Sequence, residues 1–300
     1  MSKVTFIFAN DDGDTWSTPL SLLHEFAGRG WETEIISIGS NRTGRYHDMN
    51  LRNWVSSKPN TDVVLFMDWG RFDSPYLNRE LVPGAVWVQE SGDDPQNFSR
   101  NSGKARRFHL TLTPDAVSCQ QYQALKVNAH WWTHFADTRI HYPMSIDPQY
   151  LAVTSRGPGG SEFLDTIVEH SSGLVANQNG FVGIAHSEFL QRGLMVLQNS
   201  RWGEITRRIF EAMACGQLVL TDRLDDSRRL HELFQDRVHI VYYNDIVECM
   251  QLLNYYGEHS EERMAIAAAG RAEVLKNHTQ IQRVDTLLQL IEDINGKITN

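Results

Sequence analysis

Short apolar runs alternate with segments of helical periodicity along this chain, and no other feature of the sequence constrains the fold more strongly. Runs at 4–9, 33–39, 61–69, 85–90 and 108–113 are rich in β-branched and aromatic residues, and several lead into polar loops. Strands separated by helix-length intervals are typical of βαβ units in a parallel sheet. The first half is therefore predicted to form a Rossmann-like α/β domain.

The same pattern starts again after HYPMSIDPQY at 141–150, a segment with two prolines that we interpret as an inter-domain linker. The stretch 151–170 predicts a strand, a glycine-rich loop and a helix. Further strands are predicted at 193–198, 217–222 and 238–243, and helices from Arg207 to Cys215, over 226–235 and from Asp245.

With 300 residues, the chain is long enough for two medium domains. The predicted fold class is α/β, with two Rossmann-like domains facing a cleft. Residues 1–145 are predicted to form the first domain and residues 146–278 the second. A C-terminal helix in 279–300 is expected to pack back toward the first domain, because its apolar residues from Ile281 to Ile294 share one helical face.

The net charge of −9 disfavours general binding to nucleic acid, because an acidic surface repels phosphates. A local basic patch could still bind DNA or RNA. The nearest candidate is Lys104 with Arg106 and Arg107, which we interpret as a solvated loop.

The sequence favours a cytoplasmic protein. No apolar run approaches the roughly 18 residues that span a bilayer. The N-terminus has no long apolar stretch followed by a small-residue cleavage site, so no signal peptide is predicted. Cys119, Cys215 and Cys249 are an odd number at wide spacing, which indicates reduced thiols and no disulfide framework.

One segment of the second half carries a recognisable motif. SRWGEITRRIFEAMACGQLVLTDRLDDSRRLHELF at 200–234, followed by YYND, resembles the donor-binding half of nucleotide-sugar glycosyltransferases of the GT-B fold. The nearest resemblance is to the spore-maturation-protein-like branch of the family-4-type group. AAAGRAEVLKNHTQIQRVDTLL at 267–288 is similar to that group as well, and WVQESGDDP and LTPDAVSCQQY match more loosely. The clear match covers about 194–292.

The resemblance implies roles for two glutamates. Glu211 corresponds to a glutamate that binds the donor ribose, and Glu204 to one that lies near the donor sugar. The two residues are seven positions apart here, whereas the family commonly separates them by eight. This departure puts the role of Glu204 in doubt more than that of Glu211.

Physical chemistry independently points to a diphosphate near Arg207 and Arg208. Both lie at the start of a predicted helix, where free N–H groups and the helix dipole favour an anion and disfavour cations. A guanidinium pairs well with a phosphate, which would explain their position. The alternative is a helix with surface Arg–Glu pairs.

The glycine-rich loop of the second domain is a further donor-binding candidate. Gly157, Gly159 and Gly160 would allow a phosphate to approach the backbone, and Arg156 could neutralise it. A flexible loop after the linker is an equally good interpretation.

Catalytic candidates in the first half are carboxylates that follow predicted strands. Asp12, Asp68 and Asp94 are each candidates for a base or an acceptor ligand, and Asp94 lies in the segment that best matches the family. Helix caps, Asx-turns or structural ion pairs are alternatives for each of them. His134 is a further catalytic candidate, against the alternative of a packed histidine beside two tryptophans.

No metal site is predicted. The arginines could stabilise the leaving diphosphate without a cation. The acidic loop around Asp11, Asp12 and Asp14 leaves a divalent ion open as an alternative.

The predicted function is a hexosyl- or pentosyltransferase that moves a sugar from a nucleoside diphosphate sugar, with a UDP-sugar favoured, to an unidentified acceptor hydroxyl. Retention, metal independence and the lack of any required cofactor are expected. The acceptor could be a saccharide, a small molecule, a protein or a modified DNA base. Alternatives are a phage-type DNA-modifying glycosyltransferase and a non-catalytic GT-B-like binding module.

Overall fold

The computed structural model describes residues 2–13, 17–68, 70–155 and 161–298, and the side chains of these residues up to 296. By its internal contacts the chain divides into two units. Unit 1 comprises Met1–Thr133 and Ile281–Asn300, and unit 2 comprises His134–Gln280.

Within the described residues, unit 1 is built on six parallel strands in the order β2-β1-β5-β6-β7-β8, with a separate two-stranded hairpin, β3-β4. Its strands are β1 (Lys3–Phe8), β2 (Glu32–Ser37), β3 (Gly39–Ser40), β4 (Arg45–Tyr46), β5 (Val63–Met67), β6 (Val86–Glu90), β7 (Leu110–Thr113) and β8 (Ala129–Trp131). Its helices up to residue 133 are α1 (Thr18–Gly28), α2 (Met49–Ser56), α3 (Phe98–Lys104) and α4 (Ala116–Ala124).

The central strands of unit 1 are apolar because both faces of the sheet are covered. Every residue of β5 and β6 is buried, as expected for parallel strands between helical layers. On one face Phe66, Trp87 and Phe108 pack together, with Phe66 and Phe108 stacked at 5.7 Å between ring centroids. The five strands predicted for the first half all form, and β8 is an additional edge strand.

In the part of unit 2 that the structure describes, five parallel strands lie in the order β10-β9-β11-β12-β13. They are β9 (Tyr150–Thr154), β10 (Val175–Asn177), β11 (Gly193–Gln198), β12 (Leu218–Asp222) and β13 (Val241–Tyr243). The helices are α5 (Glu162–His170), α6 (Gly183–Leu190), α7 (Arg207–Ala214), α8 (Leu230–Leu233), α9 (Ile246–Glu258) and α10 (Ser260–Asn277), and α11 (Gln280–Ile298) continues into unit 1. Two parallel α/β sheets confirm the predicted fold class.

One helix of unit 2 is shorter than expected. The helix predicted near 226–235 forms only in part, because the chain makes a 3-10 turn at Asp226–Arg228 and then the four-residue α8. Arg229 separates them with a φ of 64°, a left-handed conformation that an α-helix cannot accommodate. The helix α7 ends as predicted, with Gly216 following it at a φ of 80°.

The division between the units falls after Thr133 instead of after residue 145. The expected linker is bound to unit 2, because Gln191, directly after α6, accepts a hydrogen bond from the Met144 N–H at 2.6 Å and donates one to the Tyr142 carbonyl at 3.1 Å. Upstream, the Ala136 N–H donates to the His278 carbonyl at 3.0 Å. Prolines at 143 and 148 therefore lie in an irregular but anchored segment.

The C-terminal helix is divided between the units at Gln280. From Ile281 onward its residues belong to unit 1. Arg283 is buried and donates two hydrogen bonds to Thr133, at 2.9 Å to the carbonyl and 2.7 Å to Oγ1. Burial lowers the pKa of Arg283 to about 10. On the surface, Arg29 pairs with Asp285 at 2.6 Å.

Cys119, Cys215 and Cys249 are buried thiols that form no disulfide with one another. Within the described residues, no helix is both long enough and apolar enough to cross a membrane.

Candidate functional site

The strand order of the unit 2 sheet changes direction between β9 and β11. From β9 the chain first adds β10 on one side and then β11 on the other. Such a switch point opens a crevice outside the carboxyl ends of the strands, and ligands of open α/β sheets bind there. The residues at this place are Thr154 at the end of β9, Ser155 directly after it and Gln198 at the end of β11.

The N-terminus of α7 lies at this edge, directly after the loop that follows β11. Thr206 is its N-cap residue, yet the Thr206 side chain makes no capping hydrogen bond. Its Oγ1 is buried and has no hydrogen-bond partner among the described residues. The first N–H groups of a helix have no intrahelical partner, and the dipole makes this end positive. These features suit an anion.

Arg207 and Arg208 occupy the first turn of α7, as the sequence predicts. The Arg208 Nη1 atom lies 3.4 Å from the Gln198 Oε1 atom, a long hydrogen bond. Burial lowers the pKa of Arg208, while the nearby carboxylates Glu211 and Glu204 act in the opposite direction. Two guanidiniums at the positive end of a helix repel each other and the dipole, so an anionic ligand would relieve this arrangement.

Glu211 lies one turn further along α7 and is buried, with only 3% of its surface exposed. Its Oε1 atom is 2.9 Å from Arg207 Nε and 3.6 Å from His141 Nε2, and its Oε2 atom is 3.5 Å from His186 Nδ1. Burial alone would raise the pKa of Glu211. The surrounding positive charge, led by Arg207, outweighs burial and lowers the pKa to about 2. Glu211 is therefore ionised at neutral pH.

The two histidines beside Glu211 are neutral. Burial lowers the pKa of His141 to about 4, against the opposing charge of Glu211, and burial also lowers the pKa of His186. The Asp137 N–H donates to His141 Nδ1 at 3.1 Å, so Nδ1 is the acceptor nitrogen of the ring. We therefore assign the proton of neutral His141 to Nε2, the atom that faces Glu211.

His141, His186 and Glu211 also meet the first requirement of a metal site. Within the described residues they are the one group of three or more potential His, Cys, Asp or Glu ligands, with ligand atoms within 4.8 Å of one another. The hydrogen bonding does not fit a metal, because His141 Nε2 carries a proton where a ligand needs a lone pair. The Arg207 guanidinium also sits 2.9 Å from Oε1. The absence of a metal requirement stays a prediction.

Glu204 closes the loop between β11 and α7. Its carboxylate accepts hydrogen bonds from the backbone N–H groups of Arg201, at 3.3 Å, and Trp202, at 2.6 Å. The Trp202 side chain is 44% exposed, with the Arg201 guanidinium 4.8 Å from its ring centroid. Glu204 thus supports a loop at the candidate site, and its role beside a donor sugar stays a prediction.

Several polar side chains that the sequence did not single out stabilise this edge. Asp222, at the end of β12, accepts from the Ser200 N–H at 2.8 Å and from Ser200 Oγ at 2.7 Å. The Tyr243 hydroxyl donates to the Gln198 carbonyl at 2.6 Å. These contacts hold the chain before α7 in place. The only indication of these contacts in the sequence is that predicted strands of the second half end in polar residues, such as Gln198 and Asp222.

The glycine-rich loop lies in part outside the described residues, which include none of Arg156, Gly157, Gly159 and Gly160. Its flanks are a strand and a helix, as predicted. Ser161 caps α5 by accepting from the Leu164 N–H at 3.3 Å, and its Oγ donates to Asn199 Oδ1 at 2.6 Å. The assignment of this loop to phosphate stays a prediction.

In unit 1, Asp94 is the candidate with the most perturbed environment. It is 3% exposed, and its two carboxylate oxygens accept from Thr113 Oγ1 at 3.0 Å and from Asn101 Nδ2 at 3.3 Å. Burial raises the pKa of Asp94 to about 7, although these two hydrogen bonds oppose the rise. A carboxyl group that titrates near neutral pH can accept and release a proton under working conditions.

Asp12 has loop-stabilising partners. Its carboxylate accepts from Ser40 Oγ at 2.7 and 2.8 Å and from the Arg42 N–H at 3.3 Å. Its neighbour Asp11 accepts from Ser37 Oγ at 2.6 Å and lies 2.9 Å from His47 Nε2. These contacts join the loop after β1 to the β3-β4 hairpin. A catalytic role for Asp12 stays a prediction.

Asp68 and Lys104 form a buried pair in unit 1. Lys104 Nζ donates to the Phe72 carbonyl at 2.7 Å and lies 3.6 Å from Asp68 Oδ2. Asp68 also accepts from the Phe72 N–H at 2.8 Å. The interpretation of Lys104 as part of a solvated loop is therefore wrong, because its ammonium group is buried and stabilises the segment after β5 through the hydrogen bond to Phe72.

His134, the remaining catalytic candidate, is half-buried and begins unit 2. It directly precedes Phe135, whose ring centroid lies 5.4 Å from the Arg207 guanidinium carbon. His134 is therefore adjacent in sequence to a residue that lies near Arg207 in space. Its catalytic role stays a prediction.

Comparison with known proteins identifies the fold to which this geometry belongs. Residues 162–289 match a family model described as Glycosyl transferase-like. The chain has the GT-B glycosyltransferase fold. No curated protein matches the sequence. The spore-maturation-protein-like branch stays a prediction.

Three solved structures illustrate the likeness. Sucrose-phosphate synthase from Thermosynechococcus elongatus matches with a TM-score of 0.70 and 9% identity, over 99% of this chain and 100% of that one. Anabaena HepE in complex with UDP and glucose matches with a TM-score of 0.69 and 11% identity, over 98% of this chain and 100% of that one. A DNA-modifying β-glucosyltransferase, solved with and without uridine diphosphoglucose, matches with a TM-score of 0.60 and 11% identity. The match covers 97% of this chain and 99% of that one.

Proposed function

We propose that this GT-B protein transfers a sugar from a nucleoside diphosphate sugar, with a UDP-sugar as the favoured donor, to an acceptor hydroxyl. The glycosyl transferase-like match covers α7 and its surroundings. UDP or UDP-glucose is present in structures of Anabaena HepE, and these share the fold. The retaining course and metal independence implied by the family resemblance are parts of the same proposal.

The observation that carries the proposal is the charge at the N-terminus of α7. Arg207 and Arg208 bring two positive charges, and the ionised Glu211 brings one negative charge. With both neighbouring histidines neutral, Arg207, Arg208 and Glu211 together keep one positive charge in addition to the helix dipole. Glu204 and Arg201, which also act on Arg208, carry opposite charges that offset each other. A diphosphate at the carboxyl edge of the sheet would compensate this excess.

The same charges would favour departure of the nucleotide. During sugar transfer the bond between the anomeric carbon and the diphosphate oxygen breaks, and negative charge grows on that oxygen. Arg208, Arg207 and the positive end of the α7 dipole would stabilise this charge, because they are already oriented before the reaction. This would make a divalent cation dispensable.

On the acceptor side we assign proton transfer to Asp94. The acceptor oxygen forms the new bond to the anomeric carbon on the same face from which the diphosphate departs, which retains the configuration, and its proton passes to the Asp94 carboxylate. A pKa of about 7 leaves a substantial fraction of Asp94 ionised at neutral pH, while keeping it basic enough to accept a proton. Nuclear magnetic resonance of the first-formed product would give its anomeric configuration, and an inverted product would overturn retention.

The proposal is tested by incubating the protein with a panel of nucleoside diphosphate sugars and measuring release of the free nucleotide, with EDTA in a parallel series. The acceptor series contains saccharides, small alcohols, proteins and DNA with hydroxymethylated bases. We expect one donor to be consumed, equally with EDTA, and Arg208→Gln to lose this activity. Arg237→Gln, a change at an exposed arginine before β13, should keep it. Failure of every donor to bind or react would overturn the proposal.

A further inference from the structure

Asp94 lies in a buried polar cluster at the carboxyl edge of the unit 1 sheet. Its N–H donates to the Ser91 carbonyl at 3.2 Å, so the two residues share one turn after β6. Thr113 Oγ1 and Asn101 Nδ2 donate to the two carboxylate oxygens. Thr113 Oγ1 also accepts from the Asp115 backbone nitrogen, 3.4 Å away, which can only donate, so the threonine proton is directed at Asp94.

Tyr122 on α4 adds a hydroxyl group to this cluster. Its side chain is fully buried, and the Phe98 ring packs edge-on against it with 4.8 Å between the ring centroids. Burial raises the pKa of Tyr122, so the hydroxyl keeps its proton at working pH. The hydroxyl oxygen lies 3.3 Å from Ser91 Oγ. Burial also raises the pKa of Asp94, and a hydrogen bond to Tyr122 is among those that oppose the rise, so the hydroxyl is within reach of the carboxylate as well.

The Ser91 hydroxyl allows its hydrogen bond with Tyr122 to run in either direction. Gln89 Nε2 donates to Ser91 Oγ at 3.1 Å and to the Asn101 carbonyl at 3.3 Å, and an amide nitrogen can only donate. Ser91 therefore keeps its own proton and one further lone pair for Tyr122. Either hydroxyl can be the donor of this pair, and whenever Ser91 donates, the Tyr122 proton is available to Asp94.

Other carboxylates face this pair of residues. The charge of Asp115, at the N-cap of α4, contributes after burial and the hydrogen bonds to the raised pKa of Asp94. Glu90, at the end of β6, acts in the same sense on the pKa of Tyr122, after burial and Asp94. Since these neighbours carry negative charge, they oppose the ionisation of Asp94, and neutral hydrogen-bond donors have to offset them.

We propose that Tyr122 is a positioning residue for proton transfer, whose hydroxyl donates to Asp94 while that carboxylate is ionised and turns to Ser91 once Asp94 has taken the proton of the acceptor hydroxyl. This inference rests on the proposed function, which makes Asp94 the group that receives the proton. A carboxylate has about four lone-pair sites, and the donors on Asn101, Thr113 and Tyr122 leave one for the incoming proton. Tyr122 thereby directs the proton and stabilises the charge that must be present before transfer.

The proposal is tested by measuring the pKa of Asp94 directly, without any substrate. Protein that contains isotope-labelled aspartate is titrated by nuclear magnetic resonance, and the Asp94 signal is assigned by its loss in Asp94→Asn. Tyr122→Phe removes only the hydroxyl, and Ser91→Ala removes the alternative partner of that hydroxyl. The control is Tyr76→Phe, a change at a half-buried tyrosine of unit 1 that packs against a different apolar cluster from Tyr122.

We expect Tyr122→Phe to raise the pKa of Asp94 by about half a unit to one unit, because the ionised form loses a donor. Ser91→Ala should not raise this pKa, because the tyrosine hydroxyl then has Asp94 as its remaining partner. A merely structural role would move both variants in the same direction. Tyr76→Phe should titrate as the wild type does. The pH profile of kcat/KM should shift together with the Asp94 signal in each variant.

An unchanged pKa of Asp94 in Tyr122→Phe would overturn the inference. Equal rises in Tyr122→Phe and Ser91→Ala would overturn it too, because they would indicate a general loosening of the cluster. If Tyr122→Phe does not fold, Ser91→Ala decides, since a raised pKa then contradicts the inference and an unchanged or lower one supports it. If the Asp94 signal shifts as expected but no donor reacts with the wild type, the proposed function fails and the hydrogen bonding of Tyr122 to Asp94 stands.

Discussion

Glu211 in unit 2 and Asp94 in unit 1 are both buried carboxyl groups, each with 3% of its residue surface exposed, but their acid strengths differ widely. The pKa of Glu211 is about 2 and that of Asp94 about 7. Burial raises the pKa in both places. The difference comes from the partners, because Glu211 faces the charged Arg207 whereas Asp94 accepts hydrogen bonds from the neutral Thr113 and Asn101.

The comparison separates two kinds of buried carboxyl group. Cations within contact distance keep a buried carboxylate ionised at all working pH values, which suits a structural role in anion binding. Neutral donors leave a buried carboxyl group near its point of half-ionisation, which suits proton transfer. The two groups should therefore respond differently to mutation and to pH.

Asp94→Asn is expected to have the largest effect. It removes the proton acceptor but keeps the shape and much of the hydrogen bonding, so kcat should fall by about 10²- to 10⁴-fold. The dissociation constant of the nucleotide should stay within about twofold of the wild type, because α7 is unaffected. Steady-state kinetics and calorimetry measure both quantities. Asp73→Asn, an exposed carboxylate change in unit 1, is the control, and equal kcat values for the two variants would refute the assignment.

Glu211→Ala should destabilise the fold more than Asp94→Asn does. It leaves Arg207 and Arg208 without their buried counter-charge, and breaking a buried ion pair costs about 3–5 kcal/mol. Urea unfolding at pH 7 would report the loss. Glu258→Ala is the matched control at an exposed position. If both glutamate variants unfold at the same urea concentration, the cluster does not have the assigned role.

Much of the fold could be predicted because buried parallel strands appear in the sequence as apolar runs. β1, β5 and β6 were found in this way. β8 and β10 have three residues each and lie in no longer apolar run, whereas the equally short β13 lies within VHIVYY. β8 and β10 form because neighbouring strands offer hydrogen-bonding edges.

The candidate site could be predicted only where its residues are local in sequence. Arg207, Arg208 and Glu211 lie within one motif on one helix, and their types indicate an anion. His141 and His186 reach Glu211 only after folding, from a segment without periodicity and from another helix. For the same reason, no pattern could reveal that the Lys104 ammonium group is buried beside Asp68.

The free energy of unfolding should also depend on pH, with a smaller change than the one expected for Glu211→Ala. The change has opposite signs for His141 in unit 2 and Asp94 in unit 1. In the unfolded chain His141 has its ordinary pKa of 6.5, whereas burial lowers its pKa to about 4 in the folded protein. The charged and titratable groups that face it there are Glu211, Arg207, His186 and Asp137. The unfolded state therefore binds more protons between these values, and the free energy of unfolding should fall by about 2–3 kcal/mol as pH drops from 6.5 to 4.

Asp94 changes stability in the other direction. Its pKa rises from 3.8 to about 7 on folding, so its contribution is complete below pH 3.8 and is lost as pH rises through 7. Urea titrations from pH 4 to 7.5 should show a weaker acid loss in His141→Gln, and a weaker loss toward pH 7 in Asp94→Asn. Identical pH profiles in the wild type and His141→Gln would contradict the burial of a neutral imidazole.

Thr113→Val is expected to give the smallest effect. It removes the hydroxyl that donates to Asp94 Oδ2 at 3.0 Å, a bond that lowers the pKa of Asp94. The pKa in the pH profile of kcat/KM should rise by about half a unit to one unit. An unchanged or lower pKa would show that Asp94 is not the group that controls the profile.

The central claim is that the N-terminus of α7 binds the diphosphate of a nucleotide. The most direct measurement is calorimetric titration of UDP into the wild type, Arg208→Gln and Arg237→Gln, with folding checked by circular dichroism. Loss of a charged hydrogen bond should weaken UDP binding by about tenfold or more in Arg208→Gln, while Arg237→Gln binds as the wild type does. Equal UDP affinities in all three folded proteins would contradict the claim.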